Sequence, residues 1–194
     1  LSELTNKKQA NAVLKLLEEK ENLTRELVLM GYALPHRLLA VQMEEVGIYD
    51  TYLGQYKQPE GEDALYKRII DDADMFGLLE PVAEMMRMNY ANSLSRLKQI
   101  EDAAQYYKQA ISNLKKVKNK SKIVWHNITD VYMHLCNLYA DNSMHQELRS
   151  AYVEFNDHIM ELDFKEYCLD YCMFAALDIK IAPKYKTDNK DKIS

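Results

Sequence analysis

Apolar residues recur at steps of three and four along almost the whole chain, the spacing that lines one face of an α-helix. Val13, Leu14 and Leu17 begin a stripe among Lys and Glu, and the spacing predicts a first helix to about Asn22. Leu23, Leu27, Met30 and Leu34 predict a second, and Pro35 suits the start of a third, where its missing N–H costs nothing. Leu38, Leu39, Val41 and Val46 follow, with Gly47 placed as a C-terminal stop. Tyr49, Tyr52, Leu53 and Tyr56 read as a short aromatic helix, closed by a loop at Gln58-Pro59-Glu60-Gly61. Leu65, Ile69, Ile70 and Ala73 predict a helix over 63–76.

The second half is more strongly periodic. Residues 81–94 and 101–111 form one helix pair, and a Lys-rich stretch, 113–122, follows it. Ile128, Val131, Tyr132, Leu135 and Leu138 trace a helix over about 121–140; Leu148, Tyr152, Phe155 and Ile159 trace another. Tyr167, Tyr171, Phe174, Leu177 and Ile181 trace a last helix, which Pro183 is expected to end, leaving 184–194 as a polar tail. No long segment alternates with period two, so an all-α fold of about eight to ten helices is expected, with essentially no sheet.

Composition agrees. The chain has only 5 Gly and 4 Pro, too few to supply the turns of a strand-rich fold. The net charge of −5 gives the molecule no electrostatic reason to bind nucleic acid or an anionic membrane. The most apolar stretch, 27–43, is interrupted by Pro35, His36 and Arg37, so no bilayer span is expected and no membrane contact by this segment. No signal-peptide pattern stands in these residues, and a chain that starts at Leu1 is expected to be a processed product or an excised segment. Three cysteines (Cys136, Cys168 and Cys172) make a poor disulfide framework and read as buried thiols of a cytoplasmic protein, with a periplasmic setting the alternative.

Two stretches match each other. Arg87-x-x-Tyr90-Ala91-x-x-Leu94 precedes Ala103-x-x-x-Tyr107 and Ala110, and Tyr132-x-x-Leu135-Cys136-x-x-Tyr139 precedes Leu148-x-x-x-Tyr152 and Phe155. A small residue on the first helix lets its partner approach, and an aromatic on the second fills the gap between pairs. The pattern resembles the tetratricopeptide repeat over roughly residues 80–162. Arg87 stands where a large aromatic is usual and Leu148 where a small residue is usual. The copies lie 45 residues apart, where about 34 is typical.

The resemblance implies antiparallel helix pairs stacked as a right-handed solenoid, with N-terminal helices in 1–58 and the repeats in 59–183. It also implies a non-catalytic role without cofactor: capture of a protein or peptide by the groove that the first helices line, as the regulatory part of a larger bacterial signalling protein. In the first copy that face carries Met88, Asn92 and Arg96, and in the second Met133, Asn137 and Asp141. Met gives an adaptable apolar contact, and Asn can bond a peptide backbone as donor and acceptor. A homodimer through the aromatic last helix (Tyr167, Tyr171, Phe174) is also expected.

Other chemistry carries less. His134 and Cys136 face different sides of a helix, and nothing completes a metal set around Cys168 and Cys172. Phosphate-loop and nucleophile-elbow glycine patterns are absent. Asn22-Leu23-Thr24 and Asn127-Ile128-Thr129 match the glycosylation acceptor pattern but fall in or near helices. The acidic clusters Glu44-Glu45 and Asp71-Asp72-x-Asp74 read as solvated faces, and Lys115 to Lys122 as a solvated loop. The alternative function is a DNA-binding regulator using a helix-turn-helix at 24–41, with Gly31 in the turn and Arg37 where that motif wants an apolar residue.

Overall fold

A computed structural model of the chain describes residues 2–49 and 59–188, with side chains over 8–49 and 63–182. Every element among the described residues is helical: α1 (Ser2–Leu29), α2 (Pro35–Ile48), α3 (Pro59–Phe76), α4 (Pro81–Arg96), α5 (Ile100–Lys116), α6 (Lys122–Asp141), α7 (His145–Met160) and α8 (Cys168–Asp188). The chain divides into two compact units, 1–90 and 91–194.

In the first unit the two helices expected before Pro35 are one. Helix α1 passes through Asn22 and Thr24 because Thr24 turns its hydroxyl back to the Lys20 carbonyl (2.7 Å) instead of capping a new helix. It stops in a Schellman motif at Gly31, whose φ of +77° suits glycine, with Tyr32 N–H donating to the Leu27 carbonyl and Gly31 N–H to Val28. Gly47 does not end α2; the helix runs to Ile48. The short helix expected over Tyr49–Tyr56 falls mostly outside the described residues. The loop expected at 58–61 is instead a helix start, since Pro59 opens α3 and Glu60 and Gly61 lie in its first turn. Leu39 and Val46 of α2 pack with Leu65, Tyr66 and Ile69 of α3 and Met86 of α4 as the apolar core.

Beside that core lies a buried polar network that the apolar pattern did not reveal. Glu21, Gln42, Glu45 and Asp72 are all buried, so Glu45 and Asp72 are not on solvated faces. The Arg25 guanidinium donates to Glu21 (2.8 Å) and Asp72 (2.5 Å), and the Gln42 amide donates to the same two carboxylates. Arg68 pairs with Glu21 (2.9 Å) and Glu45 (2.6 Å). Three carboxyl groups thus share two guanidinium groups, and burial first, then the Glu21 charge, pushes the Glu45 carboxyl up to about 7 against the pull of Arg68. On α4, Arg87 is buried too, held by Glu84 (2.9 Å) and Asp74 (2.6 Å).

The second unit is built on α6, which packs on α5, α7 and α8. Ser121 caps it, its hydroxyl accepting from Val124 N–H (3.4 Å). An aromatic array joins three helices: Tyr132 stacks on Phe155 (5.3 Å), Trp125 on His158 (5.6 Å), and Phe174 meets both Tyr152 (5.2 Å) and Phe155 (5.0 Å). Phe174 is therefore turned inward rather than offered to a second copy, as is Tyr171, whose hydroxyl donates to the Leu162 carbonyl. The lysines of the connection do not simply point to water: Lys115, Lys120 and Lys122 sit over the rings of Tyr132, Trp125 and Tyr167. Helix α8 continues through Pro183 to Asp188, although an interior proline forfeits one hydrogen bond and crowds the carbonyl four residues back. Cys136 is buried, but Cys168 and Cys172 are exposed, stacked on the face of α8 away from Leu177 and Ile181.

Candidate functional site

Asn92, Asn137 and Asp141 come together in the second unit. They line a polar cavity of about 270 Å³ with Ser95 of α4, Lys98 just beyond it, Tyr107 of α5, His134 and Leu138 in the C-terminal half of α6, and Asn142 just past its end. Each helix delivers its residue by period: Asn92 and Ser95, like His134, Leu138 and Asp141, are three or four apart and share a face. Tyr107 is the back wall. Its ring stacks on His134 at 6.0 Å and its hydroxyl donates to Asn92 Oδ1 at 2.5 Å.

The electrostatics leave this wall neutral. Burial pushes the Tyr107 phenol up to about 12 despite the nearby Arg96 charge, and burial lowers His134 despite Asp130. Asn137 is engaged from both ends: its nitrogen donates to the Met133 carbonyl (2.8 Å) and its oxygen accepts from Lys180 (2.5 Å), which also pairs with Asp141 (3.3 Å). The Asn92 oxygen is taken by Tyr107, while its nitrogen makes no hydrogen bond among the described residues. The cavity thus offers the Asn92 amide nitrogen as donor, a phenol, an imidazole, and charge of both signs at Lys98 and Asp141. Such a surface suits peptide groups better than a phosphate or an apolar ligand.

The other expected groove residues stand elsewhere. Met88 is buried in the first unit, Met133 is half-buried, and Arg96 is exposed; none lines this cavity. Tyr107 and His134 were read from sequence only as packing residues, and the signal that they belong to the site is their contact across α5 and α6. A larger opening of about 640 Å³ lies between α5 and α7 over α6, with Lys108 and Lys115 on one wall and Glu147 and Glu154 on the other. Three of its polar groups engage one another, Lys115 donating to the Tyr132 hydroxyl (2.8 Å), which reaches Glu154 (3.4 Å).

Around the turn at 24–41, α2 carries Arg37 as its one arginine and no lysine, and it adds Glu44 and Glu45. His126 pairs with Asp170 (3.0 Å), and no group of three metal-ligating side chains forms among the described residues. No described helix is long and apolar enough to cross a membrane. Comparison of the sequence with protein-family models and with curated proteins gives no match.

Proposed function

We propose that residues 80–162, extended by α8, are a tetratricopeptide-like pair of repeats acting as a non-catalytic module that captures a peptide or partner protein along the side of α4 and α6. Local geometry repeating at the 45-residue interval supports the repeat. Helices α4 and α6 are each followed by a non-glycine residue in the left-handed region, Lys98 (φ 64°) and Ser143 (φ 57°). Each is followed by the same closing bond, Gln99 N–H to Leu94 and Met144 N–H to Tyr139, both 3.0 Å. The next helix then starts from nearly identical caps, Gln99 at φ −87°, ψ 69° and Met144 at φ −86°, ψ 73°. Tyr107 packs on α6 through His134, and its counterpart Tyr152 packs on α8 through Phe174.

The observation that carries the binding reading is the cavity between the corresponding helices α4 and α6, built around the corresponding residues Asn92 and Asn137. The Asn92 nitrogen is placed to donate to a backbone carbonyl of an extended chain. Peptides selected from a random display library should, when bound, protect amides of α4 and α6 from hydrogen exchange. Protection confined to α5, α7 or the first unit, or failure to select any peptide, would overturn the assignment.

A further inference from the structure

Helix α1 carries two stripes. Ala10, Leu17, Glu21 and Val28 are buried on the side that packs on α2. A second stripe, Val13, Leu16, Lys20, Leu23, Leu27 and Met30, advances by three, four, three, four and three residues, the seven-residue repeat of a coiled-coil seam. Its apolar members are exposed to 42%, 65%, 59%, 37% and 65% in that order. No other helix among the described residues exposes more than two large apolar side chains. Helix α1 is unbroken across the seam from Val13 to Leu27, about 22 Å at the usual helical rise, and Met30 is the residue just past its end.

We propose that α1 pairs with α1 of a second copy of this chain, parallel and in register. Knobs-into-holes packing needs a partner with the same repeat over the same length, and α1 is the helix of this chain that has it. Val13, Lys20 and Leu27 then occupy one set of core layers, and Leu16, Leu23 and Met30 the other. The flanking charges choose the direction. Glu19 and Glu26 border one side of the seam and Leu17 and Thr24 the other. Parallel strands set the acidic border of one copy beside the uncharged border of its mate, whereas antiparallel strands set four glutamates along one edge.

Lys20 fixes the register. In the parallel pair its ammonium enters a hole bordered by Glu19 of the other copy, so two opposite-charge contacts cross the seam by symmetry. A single lysine in a core layer lowers affinity but specifies alignment, since any slip would bury it against leucine. Glu44 of α2 holds the same ammonium at 2.8 Å, with both side chains about half exposed, so Lys20 is already directed along the seam's edge. Because packing on α2 has already ordered α1, pairing does not bear the cost of nucleating a helix. It also makes no use of the cavity in the second unit.

Sedimentation equilibrium of the whole chain should give a species of about 45 kDa, twice the 22.7 kDa of one chain. Leu16→Glu with Leu23→Glu should return it to one chain while the far-ultraviolet circular dichroism is unchanged, both positions being on the surface. Independently, Leu23→Cys should form an interchain disulfide under air, located by peptide mapping to the two introduced thiols, because like positions face each other in register. Leu29→Cys, outside the seam, should not. A wild-type chain that stays single at all concentrations, or a dimer that survives the double substitution, overturns the seam. Crosslinking of Val13→Cys to Met30→Cys in place of Leu23→Cys overturns the parallel alignment.

Discussion

Replacing Glu45 by glutamine tests the buried network most sharply. The carboxyl rises from 4.5 to about 7 on folding, chiefly because it is buried and secondly because Glu21 faces it. Between those values the folded chain keeps a proton that the unfolded chain has released. The Glu45 contribution is therefore fully present below the unfolded value and is lost as the pH climbs to about 7, flattening above it. At about 1.4 kcal/mol per unit, the ionised carboxyl costs the fold at most about 3 kcal/mol. Glutamine reproduces the protonated group: its oxygen can accept from Arg68 and its nitrogen can donate toward Glu21. Urea denaturation followed by circular dichroism should therefore find the two proteins within about 0.5 kcal/mol at pH near 5, and Glu45→Gln more stable by about 1–3 kcal/mol at pH near 8. The opposite slope from His158, whose ring burial holds neutral down to about 4, is common to both proteins and cancels in the difference. An offset independent of pH would refute the reasoning, for it would mean that Glu45 is ionised in the fold throughout.

Further outcomes follow from single contacts. Arg87→Ala should destabilise the chain by about 3–5 kcal/mol in thermal or urea melts, because it removes the buried guanidinium that pairs with the buried Glu84; Arg87→Ala together with Glu84→Ala should recover part of the loss. Two thiols, Cys168 and Cys172, should react at once with a thiol reagent, and Cys136, whose thiol burial pushes up to about 12, only after denaturant is added. Ser143→Gly should raise stability by up to about 1 kcal/mol, since the serine occupies a left-handed backbone position that glycine adopts without strain. Phe155→Ala, at the junction of α6, α7 and α8, should cost about 3–5 kcal/mol.

The helices of the second half were legible because their apolar period is strong and two of them start at ordinary signals, Pro81 and Ser121, whereas the left-handed turns after α4 and α6 fall on Lys98 and Ser143 and left no mark in the sequence. The first half was harder for a physical reason. Its inward stripes include Glu21, Glu45 and Asp72, which a hydrophobic pattern reads as outward positions. Their register with Leu17, Leu38 and Ile69 was the available clue, and Arg25 and Arg68 at core-adjacent positions were the matching one. Apolar residues failed in the opposite sense, since the seam on α1 is exposed and was merged with the buried stripe, giving two short helices in place of one. At the candidate site, Asn92, Asn137 and Asp141 could be named from the repeat, but the stack of Tyr107 on His134 depends on a contact between helices that no spacing along the chain encodes. Thiol exposure on α8 was missed because burial was argued from the number of cysteines and not from their place on the helix, where Leu177 and Ile181 define the inward face.

The central claim is that the α4–α6 side captures a peptide through Asn92, and one affinity comparison tests it most directly. A peptide selected on the wild-type chain is titrated, by isothermal calorimetry, into wild type and into Asn92→Asp, whose carboxylate removes the donor while still accepting from the Tyr107 hydroxyl. The account predicts binding at least about tenfold weaker for the variant, the loss of one hydrogen bond to a partly buried carbonyl, with an unchanged melting temperature. Equal affinity for both proteins would contradict it.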